Sequence, residues 1–339
     1  MGKLLCDTTA IAETFHVSSP IIPWREATSA SFCAPDTVAL TGNKSWETVS
    51  GLEDQQKRYL QRLHAKGVLW KHPQGHISPA RSMIFQLSHG GDVEADGNCL
   101  FSASQKAMRI SIDARELRRR TVRRFLDDLG SQGGLDRAST DAVIKHLYSP
   151  DLKAGWGIHV VQEVKLLANK EDRVALDVAI NELVDLGLQR EMAAESIYKE
   201  RCIPVDDSLS WTKYMSISGS ADDKYDIISL QYTEEGLLTV DENREGRAAA
   251  FGDDIAIESL ATEFKREIYV VQAHGSDGMV DEENCVFFLP HRPRSEICEL
   301  PFFLFMKGTG WCGAGADHYE PLIANPAPLG FQEKAVVVL

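Results

Sequence analysis

A cysteine at the start of a predicted helix and a histidine far downstream restrict the topologies open to this chain. The string Asp96–Phe101 places Cys99 where a glycine-containing turn meets a helix, whose 3.6-residue apolar period continues to Met108. Near the other end of the chain, His318 and Glu320 have the alternate-residue spacing that puts two side chains on one face of a strand. A thiol nucleophile, an imidazole base and an orienting carboxylate are what a thiol hydrolase needs. The fold must therefore bring a helix start and a strand together.

These two strings resemble the motifs of the ovarian-tumour (OTU) family of cysteine proteases, most of which are deubiquitinases. Two further segments fit the same pattern. Trp211–Met215 looks like the family's helix that ends in Tyr-x-x-Met or a similar pair, and Phe251–Ala261 is similar to its Trp-Gly-x-x-x-Glu-Leu-x-Ala helix start. The resemblance covers roughly residues 80–325, discontinuously. It departs from the family at Phe251, where tryptophan is usual, and in its length.

The resemblance implies an α/β (α+β) fold of the papain-related type, in which helices flank a central twisted sheet. Residues 1–45 show no sustained period and are predicted to form a disordered leader, while residues 46–339 are predicted to form the OTU-like catalytic domain. Residues 130–208 show apolar spacings of three and four and exceed what a compact OTU domain needs. We therefore predict that they form an inserted helical lobe.

Local patterns predict helices mainly in the front half of the chain and strands in the back half. The main helix predictions are Gly51–Trp70, a helix capped by Asp113, Val143–Tyr148, Val160–Ala168 and Val174–Tyr198. The strand predictions are Ile227–Tyr232, Leu237–Val240, Ile268–Val271, Cys285–Leu289, Phe302–Met306 and Tyr319–Ile323. Six arginines between positions 115 and 124 are predicted to lie mostly on a solvated or ion-paired helix face.

Charge and cysteine usage restrict the partners and the compartment. The net charge of −14 disfavours nucleic acid, and the longest purely apolar run, Phe302–Met306, is far too short to span a membrane. Seven cysteines without a Cys-x-x-Cys pair argue against a disulfide framework and a structural zinc site. Free thiols indicate a reducing compartment, so we expect a cytoplasmic protein, or one in a host cytosol if it is a secreted effector. We expect no metal or organic cofactor.

Each site residue has an expected role. The helix N-terminus and the His318 imidazolium are expected to lower the pKa of Cys99. Glu320 is expected to accept a hydrogen bond from one His318 ring nitrogen, and the resemblance implies that Asp96 supports the site. Gly97 and Asn98 belong to the loop whose main-chain N–H groups are expected to stabilise an oxyanion.

Other histidines and a glycine-rich segment remain open for further roles. His274 and His291 lie near predicted strand ends and are the fallback candidates for the base. Gly308–Gly315 is predicted to be a flexible approach to His318, where a substrate backbone can lie close.

The resemblance implies a cysteine-dependent deubiquitinase that cleaves peptide or isopeptide bonds at the C-terminus of ubiquitin or a ubiquitin-like modifier through a thioester. The expected partner is ubiquitin, polyubiquitin or such a modifier. Two alternatives stay open: a catalytically silent ubiquitin-binding module, and an OTU-like protease of a non-ubiquitin polypeptide.

Overall fold

Most of the chain from Trp46 onward is described in a computed structural model. The described residues are 46–70, 83–131, 134–149, 162–273, 286–307, 318–326 and 336–337. They all lie within one compact unit, Gly42–Leu339. The predicted leader at 1–45, His274 and the glycine-rich segment at 308–315 lie outside the described residues.

The described chain contains helices and strands in a mixed order, with strands alone after Phe264. The helices are α1 (Asp54–Lys66), α2 (Cys99–Met108), α3 (Ala114–Gly130), α4 (Arg137–Tyr148), α5 (Arg173–Asp185), α6 (Arg190–Arg201), α7 (Ser208–Ser216) and α8 (Asp254–Phe264). The strands are β1 (Val68–Trp70), β2 (Met83–His89), β3 (Gln162–Asn169), β4 (Ile203–Pro204), β5 (Tyr225–Thr233), β6 (Gly236–Asp241), β7 (Ile268–Ala273), β8 (Val286–His291), β9 (Phe302–Lys307), β10 (His318–Pro326) and β11 (Val336–Val337).

The larger sheet has seven strands in the order β11-β1-β2-β10-β9-β7-β8. Strand β10 lies at its centre and runs antiparallel to both β2 and β9, whereas β7 and β9 run parallel. Strands buried on both faces read as nearly continuous apolar runs, as β7 and β9 do. The strand that begins with His318 is therefore fixed by two neighbours.

Each face of the seven-stranded sheet packs against helices. On one face, Tyr319 and Leu304 belong to a core shared with α2, α3, α7 and α8, and this core includes Cys99. On the other face, Leu322 and Phe305 pack with α1. Alternation along β10 thus sends Tyr319 towards the cysteine helix and Leu322 towards α1.

A smaller antiparallel sheet, in the order β4-β3-β5-β6, packs against α5 and α6. The predicted hairpin of β5 and β6 is confirmed. The helix predicted at Val160–Ala168 is wrong, because Gln162–Asn169 forms β3. Leu166 and Ala168 face the α5–α6 core while Leu167 faces the core that contains Cys99. Burial on both faces hides the two-residue period that would have indicated a strand.

The mixed α and β class predicted from the sequence is confirmed. The strand predictions all fall on observed strands, although Cys285 lies outside the described residues. The helix predicted at Gly51–Trp70 ends at Lys66, because Gly67 at φ 74° stops it and β1 follows. The papain-related topology, the catalytic-domain bounds and the insertion at 130–208 stay predictions. No helix in the described parts of the chain is long and apolar enough to cross a membrane.

Candidate active site

Cys99 is the first residue of α2 and lies beside the strand that carries His318. Its side chain is buried, with 2% of its surface exposed. Helix α2 packs against β10, and the main chains of Tyr319 and Leu100 lie close enough to the sulfur to favour its thiolate form. Because Tyr319 directly follows His318, the thiol and the imidazole are carried by neighbouring parts of the fold. The prediction that a helix carries the cysteine and a sheet carries the histidine is confirmed.

The environment of the Cys99 thiol raises its pKa. Burial is the largest cause, while the main-chain hydrogen bonds from Tyr319 and Leu100 oppose it. Among charged groups, Asp96 raises the pKa further and Arg118 lowers it. The predicted lowering is therefore wrong for the free protein, in which desolvation outweighs the helix N-terminus. The resting group at neutral pH is a thiol, so nucleophilic attack needs a base.

His318 has a ring tautomer that suits it to act as that base. Its Nε2 atom lies 3.0 Å from the carbonyl oxygen of Val93, in the loop between β2 and α2. A carbonyl only accepts hydrogen bonds, so Nε2 carries the proton in this contact. In the neutral ring Nδ1 is then unprotonated and can take a proton from a thiol.

Glu320 is near His318 but does not bond to it as predicted. The Nε2 atom of His318 is 3.8 Å from Glu320 Oε1, which is too long for a hydrogen bond. Instead, Glu320 Oε2 lies 2.6 Å from His89 Nε2, and Oε1 accepts a hydrogen bond from Lys307 Nζ at 3.1 Å. Burial alone would raise the pKa of Glu320, but His89 and Lys307 outweigh it and lower the pKa. The carboxylate is therefore ionised, and it lies 3.8 Å from the His318 ring without a hydrogen bond to it.

Sequence reasoning missed His89 and Lys307. Strand pairing places His89 opposite Leu322 and Lys307 opposite His318, on the face of the sheet that Glu320 occupies. His89 is completely buried, and its Nδ1 accepts a hydrogen bond from the Gly91 N–H at 3.4 Å, so Nε2 donates to Glu320. A histidine at the end of an apolar strand was the available signal, but its partner depends on strand register.

The turn before Cys99 has the tight geometry expected of it. Asp96 is exposed, and its Oδ1 accepts the Asn98 N–H at 2.8 Å. Gly97 has φ 82°, and a Cβ there would lie 2.4 Å from the carbonyl oxygen of Ala249, so only glycine fits. Because the Asn98 N–H is already bonded, it is not a ready oxyanion donor. The Cys99 N–H has no acceptor among the described residues, and it is the better candidate.

Arg118 is the buried exception among the six arginines that were predicted to lie mostly on a solvated or ion-paired face of α3. It has 1% of its surface exposed and donates to the side chain of Asn98 and to the carbonyl of Gly97. Other arginines of α3 do form surface ion pairs, such as Arg120 with Glu116. The position of Arg118 in the helical repeat could have indicated its burial, because it lies among the buried residues of α3.

His89, Asp92 and Glu320 are the described residues whose donor atoms are grouped closely enough to hold a metal ion, all within 4.8 Å of one another. A cation there would compete with Lys307 for Glu320 and would have to open the contact between His89 and Glu320. The charge of Glu320 in this cluster is already balanced by Lys307, and its other oxygen is bonded to His89.

His291, the fallback base, is not brought to Cys99. It ends β8, which is separated from β10 by β7 and β9, and its Nε2 is 4.0 Å from Asp254 Oδ1. Burial is the main cause that lowers its pKa, and Asp254 opposes this.

No protein-family model matches the chain, and no curated protein matches it well enough to indicate a relative. The chemical interpretation therefore depends on the geometry and on the motifs. A thiol at a helix start, an imidazole on the neighbouring strand, and an Nδ1 and a Cys99 N–H that have no partner among the described residues together suit nucleophilic acyl transfer.

Proposed function

We propose that this protein is an OTU-like cysteine peptidase that acts on the C-terminus of ubiquitin or a ubiquitin-like modifier. The observation that carries the proposal is the packing of α2, which begins at Cys99, against β10, which begins at His318. The choice of substrate rests on the resemblance of Asp96–Phe101 and of His318–Glu320 to the family's motifs.

The proposed reaction uses the proton position assigned to His318. Nδ1 of His318 takes the thiol proton, and the Cys99 thiolate attacks the carbonyl carbon of the modifier's terminal glycine. The oxyanion forms near the Cys99 N–H. His318 then gives its proton to the departing amine and leaves a thioester on Cys99. Water activated by His318 hydrolyses the thioester and restores the thiol.

One observation favours a second function, a ubiquitin-binding module without catalysis. Cys99 is buried and burial raises its pKa, so the free protein does not present an exposed thiolate. In a peptidase, substrate binding must expose or activate this sulfur. The same chemistry on a non-ubiquitin polypeptide is the third possibility, and a wild type that cleaves another polypeptide but no ubiquitin conjugate would favour it.

The test is hydrolysis of ubiquitin conjugates by Cys99→Ala, followed on gels and by mass spectrometry. We expect loss of cleavage with an unchanged melting temperature, because the thiol is the nucleophile. Cys202→Ala is the matched control, since Cys202 is also buried but belongs to the α5–α6 core. Cleavage at the wild-type rate by the Cys99 variant would rule out the mechanism. Binding of ubiquitin without cleavage by the wild type would favour the silent module.

A further inference from the structure

Arg118 is a buried cation without a carboxylate partner among the described residues. Other arginines of α3, including Arg120 and Arg124, pair with acidic side chains. Arg118 instead contacts neutral oxygens, and its guanidinium lies 4.5 Å from the centre of the Phe101 ring. Burial lowers the pKa of Arg118 to about 10, which leaves it charged at neutral pH. A buried charge is costly, so its presence here calls for a role.

Its hydrogen bonds tie the cysteine loop to two distant segments. Nε donates to Asn98 Oδ1 at 3.1 Å, and Nη2 donates to the Gly97 carbonyl at 2.9 Å. Nη2 also donates to the Ala250 carbonyl at 2.7 Å, and Nη1 to the Met215 carbonyl at 2.9 Å. One planar side chain thus joins the turn before Cys99 to the end of α7 and to the segment that leads into α8. Lysine cannot reproduce this fork of donors.

We propose that Arg118 is a positioning residue for Cys99, which it serves both by holding the Gly97–Asn98 turn and by stabilising the thiolate with its positive charge. This inference rests on the proposed function. The hydrogen-bond acceptors of Arg118 are neutral, and its charge lowers the pKa of the Cys99 thiol. Asp96 is the other charged group that acts on the thiol, and it disfavours the thiolate. Tyr214 and Asp223 also act on the Arg118 guanidinium and favour its charged form.

A purely structural arginine predicts a different result. If Arg118 only satisfied buried carbonyls, its loss would lower stability and leave the titration of Cys99 unchanged. If its charge supports the thiolate, neutral substitutions raise the pKa of Cys99 beyond the increase that burial already causes. A rise of one pKa unit lowers the thiolate fraction at neutral pH about tenfold.

The test is the pH dependence of Cys99 alkylation by iodoacetamide in the full chain, quantified by peptide mass spectrometry. The variants are Arg118→Met and Arg118→Gln, which remove the charge, and Arg118→Lys, which keeps it. Arg119→Met is the matched control, because Arg119 is the neighbouring exposed residue of α3 and pairs with Glu116. Circular dichroism identifies any variant that does not fold.

We expect alkylation at pH 7 to fall severalfold in the neutral variants and to stay near the wild-type rate in Arg118→Lys and Arg119→Met. We expect Arg118→Lys to lower kcat on the ubiquitin substrate with little change in KM, because the turn is no longer fixed. A Gln variant whose Cys99 titrates as in the wild type would overturn the electrostatic role. Wild-type kcat in Arg118→Lys would overturn the positioning role. Alkylation is measured without substrate, so an inactive wild type that still shows the shift would reject only the proposed function.

Discussion

The two sides of the candidate site are held in opposite ways. On the cysteine side, the Arg118 cation donates to neutral oxygens of the turn that precedes Cys99 and forms no ion pair among the described residues. On the histidine side, the Glu320 carboxylate is balanced by Lys307 and by a hydrogen bond from His89. Both sides thus contain a buried ionic group. Arg118 acts on the thiol through its charge, whereas the charge of Glu320 is balanced by Lys307.

This difference separates the effects that substitutions should have. Changes on the cysteine side should alter the titration of the thiol and the geometry of the turn. Changes on the histidine side should alter ring orientation, proton transfer and stability in acid. Each prediction below tests whether the two sides respond in these distinct ways.

The largest expected effect is the loss of the base. His318→Ala should lower kcat/KM for a fluorogenic ubiquitin substrate by about 100-fold to 10,000-fold, because Nδ1 no longer takes the thiol proton. His291→Ala is the matched control, since His291 lies on β8 and should leave the rate unchanged. A large loss in the His291 variant together with a small loss in the His318 variant would mean that His291, and not His318, is the base.

A smaller effect is expected from the turn. Gly97→Ala should lower the free energy of unfolding by about 1–3 kcal/mol or more, because it combines a positive φ with a clash against the Ala249 carbonyl. Gly91→Ala is the control, since Gly91 has φ 101° with open space around its Cβ position. Urea unfolding should show the larger loss at Gly97. Equal losses would mean that the close contact between the turn and Ala249 contributes nothing.

The smallest effect concerns Glu320, whose pKa is lowered in the folded protein by His89 and Lys307 against the effect of burial. A lowered carboxyl pKa contributes stability above the unfolded value of about 4.3 and loses it as the pH falls through the folded value. Glu320→Gln should therefore be less stable than the wild type at pH 6, with the difference shrinking below pH 4. Urea unfolding across this range measures it.

The same variant also tests orientation. Glu320→Gln should retain part of the activity and Glu320→Ala should lose more, because His89 and Lys307 lose their shared partner by steps. Equal and negligible effects of both substitutions would mean that another residue orients His318, with Asp96 the next candidate. A stability difference that grows as the pH falls would contradict the ionised state assigned to Glu320.

Local signals in the sequence predicted the elements that carry the site. The glycine turn and the apolar period after Cys99 identified a helix start, and alternation around His318 identified a strand. Both signals involve residues close together in the chain, where backbone preference and periodicity act directly. The fold class follows from the same local patterns.

The partners of these residues depended on information that local patterns do not contain. His89 reaches Glu320 only because β2 pairs with β10 in one register, and a shift by one residue would turn it to the other face. Arg118 differs from its arginine neighbours because it lies on the buried face of α3, where other parts of the fold cover it. β3 was mistaken for a helix because it is buried on both faces. Long-range packing decided each of these cases.

The most direct test of the central claim is covalent capture of Cys99 by ubiquitin that carries a C-terminal electrophile. We expect a single adduct at Cys99, located by peptide mass spectrometry, that is absent in Cys99→Ala and present in Cys202→Ala. Capture should be slow in His318→Ala, because the thiol then lacks its base. An adduct at another cysteine, or no adduct with a folded wild-type protein, would contradict the account.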